Sequence, residues 1–272
     1  MIRSGRIVGS LVLLVALGIG AFKAGIIGHP WNTFEWTTLN PGFRSAATPG
    51  DLGLSFQHVN MQSGPRKLDA FFVPASSECV RPAAVLIFHG RGETIAEWGK
   101  AQQHFHDACI ASLAFDYSGH GRSDGAGTIE NLNADAVTAY QKFIKLTPNQ
   151  RHCLFSHSMG GGPMLWAATA KGTSVDCIVI ASPFSSLTSM AEHGGLPKLL
   201  GALMPELGIT SVECARYMHR YFGFIAMQTK PYRYSKDKRS TMQRQNRSMR
   251  SRSMAMATML FTRSFQARSG DQ

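Results

Sequence analysis

Three times between residues 83 and 161 an apolar run of strand length ends abruptly in a glycine-rich loop. The run Ala83-Ala-Val-Leu-Ile-Phe88 passes into His89-Gly-Arg-Gly-Glu-Thr94. Ser112–Phe115 passes into Asp116-Tyr-Ser-Gly-His-Gly-Arg-Ser-Asp-Gly125, and Cys153–Phe155 into Ser156-His-Ser-Met-Gly-Gly161. Apolar on every residue rather than on alternate ones, such runs suit strands covered on both faces. Between them lie stretches with helical spacing. Ile95, Trp98, Ala101, Phe105 and Ala108 form one stripe. Ile129, Leu132, Ala136, Val137, Tyr140 and Ile144 form a second, with Thr128 as its N-cap and Pro148 as its stop. Pro163–Ala170 reads as the next helix and Cys177–Ala181 as the next strand. Alternation of this kind predicts an α/β fold: a mainly parallel sheet, right-handed crossovers and helices on both faces. Phe56–Asn60 and Leu68–Val73, around the Gly64-Pro65 turn, read as two short strands ahead of it.

Charge is distributed unevenly. The chain of 272 residues carries 28 Lys/Arg against 17 Asp/Glu, a net charge of +11. Residues 229–272 hold 11 of the basic and 2 of the acidic residues, so the remainder is nearly neutral. A near-neutral domain argues against a fold built to bind nucleic acid. The basic segment 229–272 has neither helical nor strand period and is expected to be a disordered tail, or else the product of a frame shift near residues 210–230. Codons for Lys230–Ser235, read one nucleotide later, permit Asn-Pro-Ile-Val-Ile, a strand-like run. As a genuine tail it could bind acidic lipid or nucleic acid, a binding role distinct from catalysis. The cysteines number five and contain no C-x-x-C pair; Cys153 and Cys177 lie in apolar runs and are expected to be reduced core residues.

At the N-terminus, Arg3 and Arg6 precede an uncharged run over 7–22, interrupted by Lys23. Residues 1–28 are expected to be an uncleaved signal-anchor with its N-terminus in the cytoplasm. The alternatives are a cleaved signal peptide, giving export, and a buried core helix. Residues 29–50, with Pro30, Pro41 and Pro49, read as a linker, 51–228 as the domain, and 187–228 within it as a cap-like segment.

Ligands in open α/β sheets bind at the carboxyl ends of the strands, where all three loops fall. The third loop links a strand to a helix and centres on Ser158, with Ser156 at minus two and Gly160 at plus two. That is the setting of a nucleophile elbow, whose tight turn admits only small neighbours; Ser156 replaces the usual first glycine. A helix starting near Met159 aims its positive end at Ser158. The backbone N–H groups of Met159 and Arg91 are the expected oxyanion donors. His157 and His89 are expected to shape their loops rather than titrate in catalysis, and Asp116 to hold the Gly119–Gly121 loop. Arg91 and Glu93 fit either a substrate contact or a solvated pair.

His-Gly-x-Gly-Glu-Thr, Phe-Asp-Tyr-x-Gly-x-Gly-x-Ser-Asp-Gly, x-His-Ser-Met-Gly-Gly and Ala-Ser-Pro-Phe-Ser-Ser-Leu, in this order over residues 51–190, resemble the α/β-hydrolase superfamily. The resemblance is to its membrane-anchored branch of serine-peptidase-like and acyl-esterase-like enzymes. It implies attack by Ser158 on an ester, thioester or amide carbonyl of a small-molecule or lipid-like acyl substrate, with no metal or organic cofactor. It also implies an acid and then a His later in the chain. After Ser158 the histidines are His193 and His219, both within 187–228; His193 is the fallback general base. No strand ending in Gly-Asp follows residue 228, so the C-terminal part of the fold reads as incomplete. The competing expectation is an inactive or truncated hydrolase fold serving as a membrane-associated binding module.

Overall fold

The computed structural model describes residues 39–42, 45–79, 83–170 and 172–181, the backbone of 224–227, and the isolated positions Ser10, Val12, Leu13, Leu14, Leu17 and Glu35. The elements are β1 (Gln57–Ser63), β2 (Arg66–Val73), β3 (Ala83–Phe88), α1 (Gly99–Asp107), β4 (Ile110–Phe115), α2 (Ile129–Leu146), β5 (Arg151–His157), α3 (Gly161–Thr169), β6 (Cys177–Ala181) and β7 (Phe224–Met227). They build one sheet in the order β1-β2-β4-β3-β5-β6-β7. β1 and β2 form an antiparallel hairpin and β2 pairs antiparallel with β4; every other pairing is parallel. This is the mainly parallel α/β sheet expected from the apolar runs.

Burial follows position in the sheet. β3 and β4, in the interior, are buried at all six residues each. β1, at the edge, begins exposed and then alternates. One apolar layer gathers Leu86, Phe88, Leu113 and Phe115 with Leu132, Ala136, Tyr140 and Phe143 of α2 and Met164 and Leu165 of α3. The opposite layer packs Val85, Ile87 and Phe155 against Trp98, Ala101 and Phe105. Removing each such side chain from water contributes about 1.5–3 kcal/mol. The stripe over 95–108 divides into a single 3-10 turn, Ile95–Glu97, and the shorter helix α1. Thr128 caps α2 as expected, accepting the Asn131 N–H at 3.1 Å.

Residues at the end of the stretch read as linker lie against the domain. Leu39 is buried. Asn40 Oδ1 accepts the Gly127 N–H at 2.7 Å, Glu35 Oε1 accepts the Ile129 N–H at 2.8 Å, and Gly42 bridges to His120. An ion pair between a half-buried Arg66 and a buried Asp135 fastens the hairpin: they lie 3.1 Å apart, and the other Asp135 oxygen accepts the Ser118 N–H.

The expectation of reduced Cys153 and Cys177 is corrected. Parallel register places the two directly opposite on β5 and β6, and they form a disulfide; Cys79 and Cys109 form a second. Spacing along the chain carries no trace of this register, which arises only when the strands pair. β7 also went unread: Phe224–Met227 closes the cap-like stretch and pairs parallel with β6. The anchor over 1–28, apart from a few positions, and the segment 229–272 lie outside the described residues. Among those described, no helix is long and apolar enough to cross a membrane.

Candidate active site

β5 delivers Ser158 into a turn that few side chains tolerate. Its φ is 50°, in the left-handed region, between an extended His157 and the 3-10 turn Ser158–Gly160 that opens α3. A non-glycine residue there is strained, and such strain gathers at functional positions. The turn is also crowded. A Cβ on Gly160 would overlap the Phe88 carbonyl oxygen and come within 2.7 Å of that of His89. Gly160 therefore lets the elbow touch the loop that follows β3. Ser156 is fully buried between its register partners Phe88 and Ile180. No side chain caps the 3-10 turn or α3; the Gly161 N–H is taken by the Ser158 and Met159 carbonyls, and the Met159 N–H, at the start of the turn, meets no side-chain cap.

The loop after β3 is held at several points. Gly90 N–H donates to Glu93 Oε2 at 2.9 Å, and Glu93 N–H donates back to the Gly90 carbonyl at 3.2 Å. Glu93 is 3% exposed, and its Oε1 lies 3.0 Å from His157 Nδ1. Glu93 is thus neither solvated nor free for substrate; it bridges the loop to the elbow. Arg91 is exposed, and its backbone N–H has no acceptor among the described residues. His157 packs beside Trp98, ring centroids 6.3 Å apart.

The loop after β4 supports the loop after β3. Asp116 Oδ1 accepts the Ile95 N–H at 2.9 Å and lies 3.4 Å from His89 Nε2. Its carboxylate thus steadies the loop after β3, while its main-chain oxygen takes the Ser123 hydroxyl. The expected hold on Gly119–Gly121 is replaced by close packing: a Cβ on Gly121 would overlap that carboxylate. His89 is buried among Tyr117 and His120, with centroids 4.6 and 5.2 Å away. Burial pushes its pKa down, but Asp116, by hydrogen bond and charge, leaves it raised overall. Burial, with the negative charge of Asp135, holds Tyr117 far above the usual phenol range, so it stays a neutral phenol.

Ser158 and the loops bearing the Met159 and Arg91 amides are therefore brought together at the carboxyl end of the sheet. The expected base, His193, lies outside the described residues. Sequence reasoning missed the Glu93 bridge; its signal was an acidic residue three positions after Gly90, the spacing at which a side chain folds back onto a turn.

Known proteins agree with this architecture. The family model described as serine aminopeptidase, S33, matches residues 81–268, more than half of the chain, and its match runs through most of the basic C-terminal segment. Human Protein ABHD12B is 37% identical over 78 residues, 28% of this chain and 22% of that protein. The multifunctional-autoprocessing repeats-in-toxin of Vibrio cholerae is 26% identical over 144 residues, 48% of this chain and 3% of that protein. The chain thus spans about a fifth or less of the length of these curated relatives. Among solved structures, an alpha-beta hydrolase from Vibrio vulnificus superposes with a TM-score of 0.51 at 20% identity, over 59% of each chain. An esterase from Pyrococcus furiosus gives 0.49 at 20% identity, over 61% of this chain and 67% of its own. By the family match and the fold, the chain belongs to the serine aminopeptidase S33 family of α/β-hydrolases.

Proposed function

We propose that the protein is a serine hydrolase that cleaves a carboxylic ester, thioester or amide of a small acyl substrate through Ser158. The left-handed Ser158 on a strand-to-helix turn carries this reading. Its Oγ adds to the carbonyl carbon while its proton passes to a histidine, for which His193 is the candidate. The Arg91 and Met159 amides hold the oxyanion. Collapse expels the protonated leaving group, and water releases the acid from the acyl-serine. One amide donor of this kind is worth about 100- to 1,000-fold in rate.

Hydrolysis of p-nitrophenyl acetate by the full chain tests the reading. Activity lost in a folded Ser158→Ala variant supports it. Equal rates in the two proteins, or a folded native chain without activity, contradict it; the second outcome favours the binding-module alternative.

We also propose that residues 1–28 anchor the protein in a membrane, with the domain on the non-cytoplasmic side. Arg3 and Arg6 ahead of the apolar run support the orientation. Val12, Leu13, Leu14 and Leu17, which are helical and 60–66% exposed, support insertion in an apolar phase. Two disulfides suit an oxidising compartment. Protease digestion of sealed right-side-out vesicles checks the sidedness: protection of the domain in them would contradict it.

A further inference from the structure

We propose that Glu93 is a positioning residue that sets the oxyanion site, an inference that rests on Ser158 being the nucleophile. A single buried carboxylate spans both halves of the site. Oε2 takes the Gly90 N–H at 2.9 Å, and Oε1 lies 3.0 Å from Nδ1 of His157, the residue before Ser158. This engagement occupies the Gly90 N–H and turns it inward. The next N–H along, that of Arg91, is left for an oxyanion. Glu93 thereby decides which amide of the loop faces substrate, and at what distance from the Met159 amide across the elbow.

The packing at Gly90 agrees. A Cβ there would sit 3.0 Å from His157 Nδ1 and 3.2 Å from Glu93 Cδ, so glycine is what lets the carboxylate reach the elbow. A carboxylate this deeply buried is costly without partners; one of its oxygens accepts the Gly90 N–H and the other faces His157 Nδ1, so it touches both loops. Displacement of a catalytic group by about 1 Å can cost about 100-fold in rate. A misplaced oxyanion donor acts on the transition state and leaves ground-state binding intact.

The test uses full-length native protein, Glu93→Ala and Glu93→Gln, each rate referred to the folded fraction from near-ultraviolet circular dichroism. In Glu93→Ala, kcat on p-nitrophenyl acetate is expected to fall about 100-fold, with KM within about 3-fold. Fluorophosphonate labelling of Ser158 should slow in step. Glu93→Gln keeps an acceptor for Gly90 and can donate to Nδ1 in the His157 tautomer that leaves that nitrogen unprotonated, so it should recover most of the loss. Unchanged kcat in folded Glu93→Ala, or a loss explained wholly by unfolding, overturns the proposal. A native chain that fails to label overturns the nucleophile reading instead. Amide hydrogen exchange then decides the bridge: protection of Gly90 N–H, lost in Glu93→Ala, supports it, and native exchange at the unprotected rate overturns it.

Discussion

The two ends of β5 are built in opposite ways. At its amino end the strand is stitched down. Asp176 Oδ2 accepts the His152 N–H at 2.7 Å, Asp176 N–H donates to the His152 carbonyl at 2.7 Å, and Cys153 is bonded to Cys177. His152 Nε2 also sits 3.0 Å from the Thr147 hydroxyl and 2.9 Å from its carbonyl. At its carboxyl end, seven residues on, the same strand runs into a strained serine and a glycine with no room for a methyl group. Conformational strain of about 1–3 kcal/mol persists only where the surroundings over-determine it. The contrast teaches where that over-determination comes from: one end of β5 is tied so that the other can hold Ser158 in a conformation it would not choose.

The comparison can be broken from either end. The largest effect is expected at the crowded end. Gly160→Ala must push against two backbone carbonyls, which cannot rotate away, and should lose about 3 kcal/mol or more; urea unfolding measures it. Next comes the tied end. Replacing both Cys153 and Cys177 by Ser opens a disulfide across 24 residues and should cost about 3 kcal/mol, seen as a lower midpoint whose remaining response to reductant is that of Cys79–Cys109 alone. A smaller effect of opposite sign is expected from Ser158→Gly. Glycine adopts positive φ freely, so stability should rise by about 1 kcal/mol while ester hydrolysis disappears. If Ser158→Gly is instead destabilising, the serine is not strained.

The smallest effect concerns pH. The folded-state pKa of His89 is raised above 6.5, so its stabilising contribution is fully present below that value and fades as pH rises through the folded value. Asp116→Asn should flatten this dependence of the unfolding midpoint. An unchanged slope would show that Asp116 does not set the charge on His89.

Much of this was legible in the chain because local chemistry dictated it. β3 and β6 were read with their observed limits, since an apolar run bounded by polar residues has one plausible extent. The elbow was readable because a nucleophile turn restricts residue size at fixed offsets, and Thr128 because a cap acts on the residues next to it. The disulfides were not readable. They depend on strand register, which links Cys153 to Cys177 only after β5 and β6 pair. The Glu93 bridge was ambiguous because an acidic residue in a glycine-rich loop looks alike whether it faces solvent or the elbow. Glu35 and Asn40 looked like linker because their partners, Ile129 and Gly127, lie some 90 positions away. Four-residue β7 was too short to declare a period.

The most direct measurement is the site of covalent capture. The full chain is mixed briefly with p-nitrophenyl acetate, quenched in acid, reduced to open Cys153–Cys177 and digested with trypsin, and the peptide spanning residues 152–171 is sequenced by mass spectrometry. The expected result is one acetyl group on Ser158, absent from Ser158→Ala. An acetyl group on another residue, or product formed with Ser158 never modified, would contradict the assignment of the elbow serine as the nucleophile.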